Sequence, residues 1–147
     1  MIRSGFIILF AFLPLLINAQ VRKQQDAAQI KLELRKLNTL GAVLYVAAHP
    51  DDENTRAIAS LGSERLVNAA YLSMTRGDGG QNLIGPEIRD LLGLIRTQEL
   101  LSARRIDGGQ QFFTRANDFG YSKNSKETFD IWNKNEILDV YYMWAYL

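Results

Sequence analysis

Two short, predominantly apolar runs interrupt an otherwise mixed pattern of hydrophobic and polar positions along the chain. Residues 42–48 read AVLYVAA, and residues 67–75 read VNAAYLSMT. Apolar runs of this length, with β-branched and aromatic members, are typical of strands buried on both faces of a parallel sheet. The sequence GGQQFFT, residues 108–114, predicts a turn followed by a third short strand.

Four helices are predicted around these strands. Residues 21–40 carry apolar positions among charges and are followed by Gly41, as expected for an amphipathic helix. Residues 51–62 predict a short helix with acidic residues in its first turn, and residues 87–105 carry an apolar stripe at helical spacing. A final helix is predicted over residues 125–139. This alternation predicts an α/β, Rossmann-like fold with a largely parallel sheet flanked by helices.

The N-terminus has the three-part layout of a secretory signal peptide. Arg3 precedes an uncharged run over residues 6–17, and a small residue, Ala19, stands at the expected cleavage point. An uncleaved membrane anchor is the alternative, but this run is shorter than the roughly 20 residues that a membrane-spanning helix needs. We therefore expect a bacterial protein exported to the periplasm or the extracellular space, with no stable membrane span after cleavage.

Length and composition limit the remaining organisation. The 147 residues are enough for one modest domain. We divide the chain into a signal peptide (1–19), an N-terminal helix (20–40) and the α/β domain (41–147). The formal net charge of +1 gives no basic excess of the kind that a nucleic-acid partner requires. The sequence has no cysteine, which excludes disulfides, thiolate zinc sites and a cysteine nucleophile.

The motif AHPDDE directly follows the first predicted strand and contains His49, the single histidine of the sequence. In open α/β sheets, ligands bind beyond the carboxyl ends of the strands, so this position suits chemistry. Imidazole and carboxylate are good zinc ligands, and a neighbouring carboxylate can accept a proton from water. Alternatively, Asp51, Asp52 and Glu53 are only the N-cap and first turn of a helix, where acidic residues are favoured without any function.

A magnesium-dependent phosphohydrolase using Asp51, Asp52 and Asp78 is a rival hypothesis for the same acidic residues. It would not depend on His49. The sequence disfavours it, because no glycine loop able to cradle a phosphate follows the first strand directly.

The sequence VAAHPDDE after an apolar strand resembles the signature of the PIG-L/LmbE-like zinc-dependent deacetylases. The segments TRGDGGQN, IRTQEL and FFTRANDFG follow in the order in which that family has matching elements, so the resemblance covers roughly residues 41–140. It implies hydrolysis of the acetamide of an N-acetylated sugar or glycoconjugate, of the N-acetylglucosamine type, with Zn²⁺ as cofactor. The resemblance further implies that His49 and Asp52 bind zinc and that Asp51 is the general base.

Two further residues match positions that the family uses near its substrate. The resemblance implies that Arg96, in IRTQEL, and Asp118, in ANDFG, contact the sugar. For Arg96 the alternative is an ion pair with Glu99, and for Asp118 it is an Asx turn ahead of Gly120.

The sequence departs from the family in one respect that bears on activity. The family's third zinc ligand is a downstream histidine, and residues 54–147 contain none. The final residues, LDVYYMWAYL, are rich in aromatics where a charged helix is expected. We therefore expect an α/β domain incomplete at its C-terminus, cut short by a frameshift or a premature stop. A non-catalytic remnant or a sugar-binding module of the same fold is the alternative to an active deacetylase.

Overall fold

The computed structural model of the chain describes residues 24–145, and the predicted signal peptide lies outside them. The first described helix, α1, spans Ala27–Lys36 and contains no buried residue. The predicted N-terminal helix is thus confirmed over ten residues, although its apolar positions do not pack into a core. The described residues from Leu32 onward form one compact unit. Within the described range, no helix combines the length and apolarity that a membrane crossing requires.

The compact unit that begins at Leu32 is built on a three-stranded parallel sheet. Its strands are β1 (Ala42–Ala47), β2 (Asn68–Ser73) and β3 (Gln110–Phe113), and their order in the sheet is β1-β2-β3. Tyr45 pairs with Tyr71 across the first two strands, and Leu72 pairs with Phe112 across the second and third. The predicted α/β fold with a parallel sheet flanked by helices is confirmed.

Four helices follow the strands, where the sequence pattern predicted three in this part of the chain. They are α2 (Thr55–Ser63), α3 (Asp90–Asp107), α4 (Ser125–Ile131) and α5 (Lys134–Ala145). The prediction of one helix over residues 125–139 was wrong, since the helix is interrupted at Trp132. That residue adopts an extended backbone, and its indole nitrogen donates to the Asn117 carbonyl at 2.8 Å. Asn133 then accepts from the Asn135 amide at 3.1 Å at the start of α5.

The predicted start of α2 was also wrong. Asn54 is its N-cap, with a side-chain oxygen that accepts from the Ala57 amide at 3.0 Å, and the first turn holds no acidic residue. The three acidic residues after Pro50 therefore precede the helix. Their role as N-cap and first turn is excluded, and they are available to form a turn of their own.

β2 is buried on both faces, and the main hydrophobic cluster lies on one of them. Ala69 and Tyr71, two residues apart on β2, form a buried cluster with Ile58 of α2 and Leu100 of α3. Because alternate residues of a strand point to the same face, both helices cover that face. Partly buried residues complete the cluster: Tyr45, Ala47, Leu61 and Phe113. This packing fixes the carboxyl end of β1, where the AHPDDE motif begins.

Candidate active site

A tight turn after β1 carries the AHPDDE motif. The Asp52 amide donates to the His49 carbonyl at 3.2 Å, and the His49 amide donates to the Asp52 carboxylate at 2.9 Å. Pro50 between them is buried, while Asp51 is exposed. The backbone of residues 49–52 is thus closed by two reciprocal hydrogen bonds, which place the side chains of His49 and Asp52 next to each other.

The His49 imidazole lies between two carboxylates. Its Nδ1 is 3.3 Å from Asp52 Oδ2, and its Nε2 is 3.8 Å from Asp118 Oδ1. The imidazole is 39% exposed, whereas the Asp118 side chain is only 4% exposed. The fold therefore brings a carboxylate from the loop after β3 against the turn after β1, as expected for the carboxyl ends of parallel strands.

Asp118 also makes the turn that the sequence suggested as its alternative role. Its Oδ1 accepts from the Gly120 amide at 2.9 Å, and Gly120 has a φ of 82°, in the left-handed region that favours glycine. The two interpretations are compatible, because the Asx turn is what holds the carboxylate in place beside His49.

Asp51 faces α3 and not the imidazole. Its Oδ2 is 3.0 Å from Arg96 Nη2, with the carboxylate 70% exposed and the guanidinium 26% exposed. Among the ion pairs of residues 24–145, Arg96 is matched with Asp51, so the suggested pair with Glu99 was wrong. The exposed carboxylate is held at the mouth of the turn and remains accessible to water.

A cleft of about 370 Å³ joins these groups. The four predicted site residues His49, Asp51, Arg96 and Asp118 line it, together with Gly77, Gly79, Gly80, Gln81, Gly120 and Tyr121. Asp52 lies beside it through its contact with His49. Gln81 and Tyr121 were not named as site residues from the sequence, although Gln81 lies in the family-matching segment TRGDGGQN.

The glycine-rich loop approaches Asp118 too closely for a larger residue. A Cβ atom built on Gly79 would lie 2.7 Å from the Asp118 carbonyl carbon and 2.9 Å from its Cγ. Such separations are well below van der Waals contact. Only glycine, which has no side chain, therefore allows the backbone at residue 79 to lie this close to Asp118.

A buried ion cluster supports the turn from below. Arg104 Nη2 lies 2.6 Å from Asp107 Oδ2 and 3.5 Å from Glu53 Oε1, and the three side chains are 4%, 7% and 10% exposed, respectively. The Arg104 guanidinium also lies 5.6 Å from the centre of the Tyr71 ring. Glu53 therefore helps to support the turn, and the contribution of Arg104 to that support was not predicted from the sequence.

Side-chain hydroxyls from both neighbouring strands hold the backbone of the same turn. The Tyr71 hydroxyl donates to the His49 carbonyl. The Tyr45 hydroxyl donates to the Asp52 carbonyl at 3.3 Å, and Thr75 Oγ1 donates to the Ala48 carbonyl at 3.1 Å. Burial raises the pKa of Tyr71 to about 12, so its hydroxyl stays protonated at neutral pH.

The donors around His49 fit part of a zinc site. Two ligands of a tetrahedral zinc at ordinary bond lengths lie about 3.3 Å apart, which matches the separation of His49 Nδ1 and Asp52 Oδ2. Across residues 24–145, however, no three His, Cys, Asp or Glu side chains form a group suited to a metal. Asp78, required by the magnesium hypothesis, lines a separate cleft of about 410 Å³ with Asp90 and Arg76. The residues present thus supply a pair of zinc donors and not a complete set.

Comparison with known proteins agrees with this architecture. The chain is 34% identical over 109 residues to the 1D-myo-inositol 2-acetamido-2-deoxy-alpha-D-glucopyranoside deacetylase of Kineococcus radiotolerans, a match that covers 69% of this chain and 30% of that protein. The chain thus spans less than a third of the length of this curated relative. The family described as PIG-L, GlcNAc-PI de-N-acetylase, matches residues 44–141, from β1 into α5 and through the whole cleft. The chain belongs to the PIG-L family.

Proposed function

We propose that the cleft around His49 serves the zinc-dependent hydrolysis of an acetamide on an N-acetylated sugar. The family match and the deacetylase relative support the reaction class. The observation that carries the proposal is the pair of donors, His49 Nδ1 and Asp52 Oδ2, at 3.3 Å in a turn that also carries Asp51. Bound at this pair, Zn²⁺ would supply a Lewis acid for the water and for the carbonyl oxygen.

The general base in this proposal is Asp51. Its exposed carboxylate accepts a proton from the attacking water as the water oxygen bonds to the acetyl carbon. Cleavage of the carbon–nitrogen bond then releases acetate, and the protonated Asp51 carboxyl returns its proton to the departing amine. Arg96, at 3.0 Å from Asp51, holds this carboxylate at the mouth of the cleft.

Arg96 and Asp118 are the proposed substrate contacts. Both line the cleft, whose volume of about 370 Å³ is ample for a single sugar ring. The relative's name describes a 2-acetamido-2-deoxy-glucopyranoside, which supports a substrate of the N-acetylglucosamine type here. Asp118 also faces His49 Nε2, a position from which a carboxylate orients a metal-binding imidazole.

A catalytic zinc site uses three protein ligands, and the sequence contains one histidine. The third ligand position therefore falls to water or to another polypeptide. The same fact favours a second function, a sugar-binding module that uses the cleft without hydrolysis. That alternative predicts binding of N-acetylglucosamine without acetate release, even with zinc in excess.

The adjacent carboxylates Asp51 and Asp52 allow the roles to be separated experimentally. We would measure zinc retained per chain after dialysis against a weak chelator, and acetate released from N-acetylglucosamine at saturating zinc. His49→Ala and Asp52→Asn should lose zinc. Asp51→Asn should retain zinc at the wild-type level and lower acetate release by at least about a hundredfold, the usual contribution of a general base.

The exposed Asp130, which pairs with Lys126 on α4, offers a matched control, since Asp130→Asn changes a carboxylate to an amide outside the cleft. It should alter neither measurement. Equal zinc retention by wild type and His49→Ala would refute the metal role of the turn. Retained zinc with sugar binding and no acetate release would instead establish the binding module.

We also propose export of the mature chain after cleavage behind Ala19, because residues 1–19 have the layout of a signal peptide. Mass spectrometry of the protein expressed with its native N-terminus in a bacterial host tests this. A chain that keeps residues 1–19 in the cytoplasmic fraction would contradict it.

A further inference from the structure

We propose that Tyr71 is a positioning residue for the site, acting through the backbone of His49. This inference rests on the proposed function in one respect only, the zinc-binding role of His49. The geometry itself is a property of the metal-free chain, and nothing in the AHPDDE motif points to a residue 22 positions further along the sequence.

The hydrogen bonds of the His49 carbonyl carry the argument. This oxygen accepts from the Asp52 amide at 3.2 Å and from the Tyr71 hydroxyl, so both of its lone pairs are used. The His49 amide donates to the Asp52 carboxylate at 2.9 Å. With the carbonyl and the amide both anchored, the peptide planes on either side of His49 are fixed, and so is the direction in which its imidazole leaves the backbone.

Tyr71 is suited to this role because its side chain is held by close packing in the core. Its side chain is fully buried in the core cluster, its ring lies 5.9 Å from the Tyr45 ring, and Arg104 lies over one face. A donor on the central strand of the sheet therefore transmits the rigidity of the core to the turn. Tyr45 and Thr75 add weaker or more distant anchors, at the Asp52 and Ala48 carbonyls, respectively.

An ordinary core tyrosine would stabilise the whole fold and have no selective effect on the turn. The distinguishing measurement is amide hydrogen exchange, followed by NMR, in metal-free wild type and Tyr71→Phe. The phenyl ring keeps the packing and removes only the hydroxyl. We expect exchange at the Asp52 and His49 amides to accelerate about fivefold, the factor for one lost hydrogen bond. After correction for the loss of global stability measured by urea unfolding, the β2 amides should exchange at wild-type rates.

A second readout is the affinity of the same chains for Zn²⁺ alone, measured by calorimetric titration. We expect Tyr71→Phe to weaken binding about tenfold, as removal of an outer-shell partner does. Tyr45→Phe, with the longer 3.3 Å contact, should have a smaller effect on both measurements. Tyr142→Phe, at an exposed tyrosine of α5 outside the lining of the cleft, is the matched control and should change neither.

The two arms separate the possible failures. Unchanged exchange at the His49 and Asp52 amides, or acceleration spread evenly over β2, would overturn the positioning role whatever zinc does. If wild type binds no Zn²⁺, the proposed function fails, while selective acceleration in the turn still establishes that Tyr71 positions His49.

Discussion

Replacing Arg104 by methionine should destabilise the protein more than any other single change at a charged residue described above. Methionine keeps the length and much of the volume of the arginine stem but removes the cation. The carboxylates of Asp107 and Glu53, 7% and 10% exposed, would then lie in the interior without their partner. The Tyr71 ring would also lose the guanidinium that lies over it.

The magnitude follows from these exposures. Removing one partner of a buried ion pair costs about 3 to 5 kcal/mol, because the remaining charge is left uncompensated. A domain of this size has about 5 to 15 kcal/mol of total stability, so Arg104→Met should remove a large part of it. At a urea dependence of about 2 kcal/mol per molar, the unfolding midpoint should fall by roughly 2 M.

Urea unfolding followed by circular dichroism is the assay, with Arg105→Met as the matched control. Arg105 is the next residue, is exposed, and donates to Ser102 at 2.6 Å, so its loss should cost less than about 0.5 kcal/mol. Adding Asp107→Asn to Arg104→Met should restore at least about 1 kcal/mol, because the amide carries no charge and can still accept from Gly109. A cost for Arg104→Met close to that of Arg105→Met would refute the reasoning.

Three further predictions follow from the geometry and can be checked by urea or pH unfolding. Gly79→Ala should cost about 1 to 3 kcal/mol through its clash with Asp118, while Gly80→Ala, whose Cβ would meet its nearest neighbour at 3.3 Å, should cost less than about 1 kcal/mol. Burial raises the pKa of Tyr71 from 10.0 to about 12. The contribution of its protonated hydroxyl to the free energy of unfolding is therefore complete below about pH 10 and is lost as the pH rises to 12. Wild type should therefore lose about 2 to 3 kcal/mol relative to Tyr71→Phe across that window, and parallel pH profiles would contradict this. Asn124→Ala removes the N-cap that accepts from two amides of α4, and it should lower the free energy of unfolding by about 1 kcal/mol. An unchanged free energy of unfolding would contradict the capping role.

The strands and the contact between His49 and Asp52 were predictable because the signals for them are local. Predominantly apolar runs locate β1 and β2, and their alternation with helices favours a parallel sheet. His49 and Asp52 are three residues apart in a turn stiffened by Pro50, so their contact needs no information from the rest of the chain.

The contacts that were missed all join distant parts of the chain. Arg96 meets Asp51 and not the nearby Glu99 because of where α3 packs, which no periodicity in the sequence specifies. Tyr71 cannot be distinguished from an ordinary core residue, since its hydroxyl finds the His49 carbonyl only once β1 and β2 are aligned. The break between α4 and α5 was missed for the same reason: the indole of Trp132 is drawn to Asn117, outside the helix pattern.

The parallel register of the sheet has a consequence for how the chain reaches this structure. Ala42 pairs with Asn68, and Ala70 pairs with Gln110, so each pairing must wait until a crossover containing α2 or α3 has closed. Sheets of this kind cannot start from a local hairpin and fold slowly for their size. During synthesis, β2 leaves the ribosome about forty residues before its second partner. In that interval an apolar strand with one open edge is exposed to chaperones and to other nascent chains.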